Sequence, residues 1–194
     1  MTKGIRWRIF ILQIGLIGIL AFVAGFAFWA SSFAAAQVHD QLAAQKVVFP
    51  ATTSAAFKAL PAADQSAMAP YAGQLMTTGV QAQTYSDHFI AVHLSKIGGG
   101  KTYAQFPSTG LTPAQTAQKT TLFQGETLRG LLLNAYGWSQ LATYAFWAAV
   151  GLAAGAFAAL GAFVFELVDW RLDVRKRRTV TPVTVPVTIT TKAA

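Results

Sequence analysis

"RWRIFILQIGLIGILAFVAGFAFWASSFAAA" (Arg6–Ala36) decides the fold. From Ile9 to Phe33 the run is almost wholly apolar, interrupted only by Gln13 and the Ser31-Ser32 pair. A helix crossing a bilayer needs roughly 20 such residues, so the stretch is long enough. Trp7 and Trp29 bracket it. At about 1.5 Å per residue they stand about 33 Å apart, close to one hydrocarbon thickness. A second block at 141–168 repeats the design, with Trp147 and Trp170 at its ends and Tyr144 reinforcing the outer one. Indole rings favour the boundary between acyl chains and water. The pattern predicts transmembrane helices over 9–33 and 141–168, with Trp7, Trp29, Trp147 and Trp170 as membrane-interface residues.

Composition agrees. Of 194 residues, 54% are hydrophobic and 11% charged, with no cysteine. Soluble domains carry roughly 25% charged residues. The missing thiols exclude disulfides, thiolate catalysis and cysteine-held metal or iron–sulfur centres. The net charge of +8 is divided in a telling way. Lys3, Arg6 and Arg8 precede the first span, and Arg175 to Arg178 ("RKRR") follow the second. Between 37 and 137 lie six basic and four acidic residues. Basic clusters flanking apolar blocks set membrane orientation, whereas a nucleic-acid surface would gather them on one patch. The expectation is a multi-pass protein of the plasma membrane with both termini cytoplasmic and no nucleic-acid partner. Residues 1–8 and 169–194 then lie inside and 34–137 outside. An alternative makes the first block a signal peptide cut after Ala36, but its apolar core exceeds the usual stretch of about 7–15 residues.

Small residues recur at four-residue spacing within the spans: Ala21 and Gly25 in the first, Gly151, Gly155 and Ala159 in the second. Such spacing lets helix backbones approach closely, so these five are the candidate helix-packing residues.

The outer segment reads as helical. Pro61 and Pro70 divide one stretch into short helices joined by turns. Thr78 followed by Gln81 fits a capping box that opens a helix running to about Ile97. Thr112-Pro113-Ala-Gln115 fits another, with helix continuing through kinks near Gly125 and Gly130 into the second span. The fold class is therefore all-α: two transmembrane helices with a small extracytoplasmic helical bundle between them. The tail "TVTPVTVPVTITTKAA" carries Pro182 and Pro186 and reads as an extended cytoplasmic segment.

"SDHFIAVHLSKIGGGKTY" (Ser86–Tyr103) holds the residues closest to chemistry. A phosphate loop needs glycine five positions before its Gly-Lys-Thr, where this chain has Ser95, and a strand before it. Gly98 to Gly100 instead read as a helix stop. His88 and His93, five apart, diverge by roughly 140° around a helix, so they do not share an ion as an i, i+4 pair does. His39, His88, His93 and Asp87 are the candidate metal ligands, and an ion would require a third element to join them. No catalytic residue and no cofactor is expected. In "FQGETLRGLLLNAYGW" (Phe123–Trp138), Glu126 and Arg129 can pair along one face. Leu128, Leu131, Leu132 and Ala135 form an apolar stripe approaching the second span.

At these two stretches the chain resembles a group of two-pass membrane proteins common in actinobacteria, over about residues 37–165. The resemblance implies fold and topology. Some of that group are labelled aromatic ring-opening dioxygenases, an iron chemistry that requires two histidines and a carboxylate on one face of the metal. The diverging histidines do not provide that set. The expected function is that of a scaffold or accessory subunit, with the bilayer, a homo-oligomer or other membrane subunits as partners. An extracytoplasmic small-ligand binder or sensor is the first alternative, and a histidine-metal-dependent enzyme the second.

Overall fold

A computed structural model of the chain describes residues 3–179. The tail 180–194 lies outside the described residues, and so does the reading of it as extended. Among the described residues six α-helices follow in order: α1 (Lys3–Ala44), α2 (Ala55–Lys58), α3 (Ala62–Met68), α4 (Gly79–Tyr85), α5 (Ala91–Gly98) and α6 (Pro113–Thr179). Single 3-10 turns sit at Ala69–Tyr71 and Tyr103–Gln105, and a π turn joins α4 to α5. Among the described residues there is no strand, only an isolated antiparallel bridge between Val48 and Leu75. Among the described residues two helices are long and apolar enough to cross a membrane, with mean hydropathies of 2.5 and 2.1 in their most apolar windows. Only 11% of each window is buried. The core helix of a soluble protein would hide most of such a surface.

The chain divides into two compact units. The first joins described residues of Met1–Phe22 and Leu152–Ala194. In it Phe10 meets Phe163 edge-on at 5.5 Å and Trp170 at 6.3 Å. The second unit is Val23–Gly151. There the buried Ser31 hydroxyl donates to the Ala142 carbonyl at 2.7 Å, and Phe28 lies 6.4 Å from Phe146.

Burial along each long helix follows steps of three and four. On α1 Phe10, Ala24, Ser31 and Val38 are buried, and Gln13, Ile17, Leu20, Ala27 and Ala34 are half-buried. On α6 Ala142, Ala149 and Ala156 are buried, and Ala145, Leu152, Ala159 and Phe163 half-buried. That 3.5-residue period is the signature of helices packing knob into hole. Alanine at every seventh position keeps the backbones close without glycine. The glycines expected at this contact lie elsewhere. Gly25 and Gly151 have no neighbour within 4 Å of a would-be Cβ, and Ala21 is exposed. Gly155 only approaches Leu20, at 3.9 Å.

In the second unit short helices surround a core of Phe49, Phe57, Leu60, Met68, Met76, Ala82, Ile90, Leu94, Leu122 and Leu132. The prolines punctuate as their missing N–H requires: Pro61 precedes α3, and Pro70 falls in the following 3-10 turn. Met76 N–H donates to the Val47 carbonyl at 2.8 Å and Phe49 N–H to the Gln74 carbonyl at 2.9 Å. This ladder ties the segment after α1 to the one before α4. Thr78 completes its capping box with Gln81, and Thr112 pairs reciprocally with Gln115. The glycine run ends α5: Gly99 sits in the left-handed region (φ 59°), and Gly100 N–H donates to the Ser95 carbonyl at 2.8 Å.

α6 continues through Gly125 and Gly130 into the second apolar block, as expected. Gly125 also serves contact, because a Cβ there would collide with the side chain of the buried Leu94. One expectation is corrected here. The apolar stripe of Phe123–Trp138 splits: Leu132 enters the core and Ala135 packs on it, while Leu128 and Leu131 face outward.

Candidate functional site

Within Val23–Gly151 the structure opens a cavity of about 350 Å³. Helix α1 contributes Ser31, Ala35, Val38 and His39 to its wall, and α6 contributes Ser139, Ala142, Thr143 and Phe146. The turn opening α4 supplies Thr77, Thr78 and Gly79. The capping box fixes that turn, since Gln81 Oε1 accepts from the backbone N–H groups of Thr77 at 2.7 Å and Thr78 at 3.1 Å. Gly79 lets the turn press against α6: a Cβ there would lie 2.5 Å from Ser139 Cβ and 3.1 Å from Tyr136 Cα.

The hydroxyls on the wall are already engaged. Ser31 donates to the Ala142 carbonyl, Ser139 to the Tyr136 carbonyl at 2.7 Å and Thr143 to the Ser139 carbonyl at 3.0 Å. His39, exposed at the rim, pairs through Nδ1 with Asp40 at 3.1 Å. The cavity is thus an apolar slot with a polar mouth. The sequence signalled the capping box as a helix start. It gave no sign that Gly79 and Ser139 would meet, because that contact is made across distant segments.

A second polar group surrounds the π turn Ser86–Ile90. There Ala91 N–H reaches back five residues to the Ser86 carbonyl, which inserts one residue into the helix. His88 Nδ1 donates to Asp64 at 2.8 Å. Arg129 donates to Asp87 at 3.1 Å and lies 3.7 Å from Glu126, the i, i+3 pair expected from the sequence. All these ionic side chains are partly solvated, so each pair contributes on the order of 1 kcal/mol or less. They tie α3, the π turn and α6 together.

Each histidine therefore has its own partner. His39 sits with Asp40, His88 with Asp64, and His93 donates to the Phe89 carbonyl at 2.7 Å, its ring tilted 44° against that of Phe89 at 4.4 Å. Asp87 faces Arg129 rather than a histidine. Among the described residues no group of three histidine, aspartate or glutamate side chains could hold a metal ion. Tyr85 lies between Phe49 and Phe89, at 5.3 and 4.8 Å, and burial pushes its phenol above the ordinary value. Comparison of the chain with protein-family models, curated proteins and solved structures gave no match.

Proposed function

We propose that this chain is a two-pass plasma-membrane protein, both termini cytoplasmic, that acts as a scaffold or accessory subunit by packing against further membrane helices. The supporting observation is what α1 and α6 leave outside their mutual contact. Gly130, Gly137 and Gly151 stand at multiples of seven along α6, and a Cβ on any of them would meet nothing within 4 Å. Around Gly151 the exposed positions Ala148, Ala158 and Ala162 keep the same narrow face. A helix side bathed only in lipid gains nothing from being narrow, whereas a helix–helix contact gains van der Waals packing. Toward the outer end of the span this face is closed by the exposed Tyr144 and Trp147, and beside it Val150, Phe157 and Val164 are exposed. Outside the span Phe123, Leu128, Leu131 and Trp138 are also exposed, a surface suited to a partner subunit.

The protein purified in mild detergent should migrate as a homo-oligomer or with a stoichiometric membrane partner. Gly151→Leu should shift it toward the monomer without changing its helix content. Recovery of the wild type only as a free monomer would overturn the reading. The cavity favours a second, compatible role, binding of an apolar ligand by the segment between the spans.

A further inference from the structure

We propose that the face of α6 carrying Ala158, Ala162 and Glu166 packs on α1 of a second copy of this chain, with Glu166 paired to Arg8 of that copy. The inference rests on the reading above and names the partner of that same face. Glu166 lies four residues before Trp170, about 6 Å to the acyl-chain side of the indole. It is exposed, and none of the ion pairs among the described residues includes it. A carboxylate at that depth is costly unless a cation meets it. Arg171, five positions on, lies about 140° away around the helix.

Helix α1 offers a cation at the matching height. Within the first unit Phe163 lies against Phe10, and a Cβ on Gly155 would lie 3.9 Å from Leu20. Counting along this antiparallel pair sets Glu166 level with residues 7–9, where Arg8 stands, exposed and also outside those ion pairs. The two do not meet within one chain. Arg8 is two residues from Phe10, about 160° around α1 from the side facing α6. Copies inserted in one orientation keep these heights, so Arg8 of one faces Glu166 of the next. The surfaces beyond the charges fit as well. On α6 Ala158 and Ala162 form a narrow exposed strip leading to Glu166. On α1 the exposed Ile11, Gly15 and Gly18 follow Arg8 at steps of four and three, and a Cβ on either glycine would meet nothing within 4 Å. The same count sets Gly15 level with Ala158 and Ile11 with Ala162, to within two residues. Small residues facing each other let the backbones approach. Because α6 of one copy meets α1 of another, the contact is heterologous.

The test uses the full-length protein in its own membrane. Differently tagged Gly15→Cys and Ala158→Cys chains, co-expressed and treated with a mild oxidant, should form a disulfide between copies; the chain has no other cysteine. Gly15→Cys paired with Leu160→Cys, exposed at a similar height but about 160° around α6 from Ala158, should not. In mild detergent Glu166→Arg should shift the oligomer to monomer with helix content unchanged, and adding Arg8→Glu to the same chain should restore it. No cross-link, equal cross-linking at positions 158 and 160, or an oligomer indifferent to Glu166→Arg would overturn the inference, as would a membrane-inserted double variant that stays monomeric. If the double variant fails to insert, the cross-links decide. A wild type recovered only as a free monomer would overturn the proposed function as well. A wild type that purifies as an oligomer or with a different membrane protein, yet gives no cross-link, would overturn this contact alone.

Discussion

The Ser86 hydroxyl is wholly buried, at the first residue of the π turn, and has no hydrogen-bond partner. An unmet buried hydroxyl costs about 1–3 kcal/mol, so Ser86→Ala should leave the protein unchanged or stabilise it by about 1 kcal/mol in thermal melts. Clear destabilisation would mean that the hydroxyl is satisfied, for instance by a buried water. One residue earlier, burial raises the Tyr85 pKa above its reference of 10.0. The folded state then holds the phenolic proton more tightly than the unfolded chain. The linked stability is fully present below about pH 10 and lost as pH rises through the folded value. Tyr85→Phe keeps the ring between Phe49 and Phe89 and removes the ionisation. Its stability should fall less steeply than that of the wild type above about pH 10, measured as melting temperature against pH. Equal slopes would contradict the assignment.

Elements are where sequence and structure agree most closely, and where the disagreements have physical causes. Capping boxes at Thr78 and Thr112, breaks at Pro61 and Pro70, and the glycine stop at Gly99 are local signals acting within a few residues. They were legible for that reason. The π turn was not, because its extra residue aligns Asp87 with Arg129 and His88 with Asp64, partners 42 and 24 positions away. Gly125 and Gly79 both serve close approach to a neighbouring element, a role that leaves no local signal in the sequence. The packing face was legible in part: Ala159 is half-buried on it and Gly155 borders Leu20, while Gly25 and Gly151 stand open and alanines seven apart line the contact. Gly79→Ala should cost about 1–3 kcal/mol by overpacking against α6. Adding Ser139→Gly should restore part of that loss by removing the nearest side chain. No loss in the single variant would contradict the close contact.

For the whole molecule, the two apolar windows were plain in the sequence, because spanning a membrane requires only length and composition. What occupies the narrow outer face of α6, and the cavity beside Ser31, is set by other molecules, and the amino-acid order carries no comparable signal for them. The central claim is that both long helices cross one bilayer with the Val23–Gly151 core exposed outside. The natural absence of cysteine makes single-cysteine labelling direct. With a membrane-impermeant maleimide on intact cells, Ser66→Cys, at an exposed position on α3, should be labelled, and Gly4→Cys should react only after permeabilisation. Labelling of Gly4→Cys on intact cells, or protection of Ser66→Cys until the membrane is opened, would contradict the account.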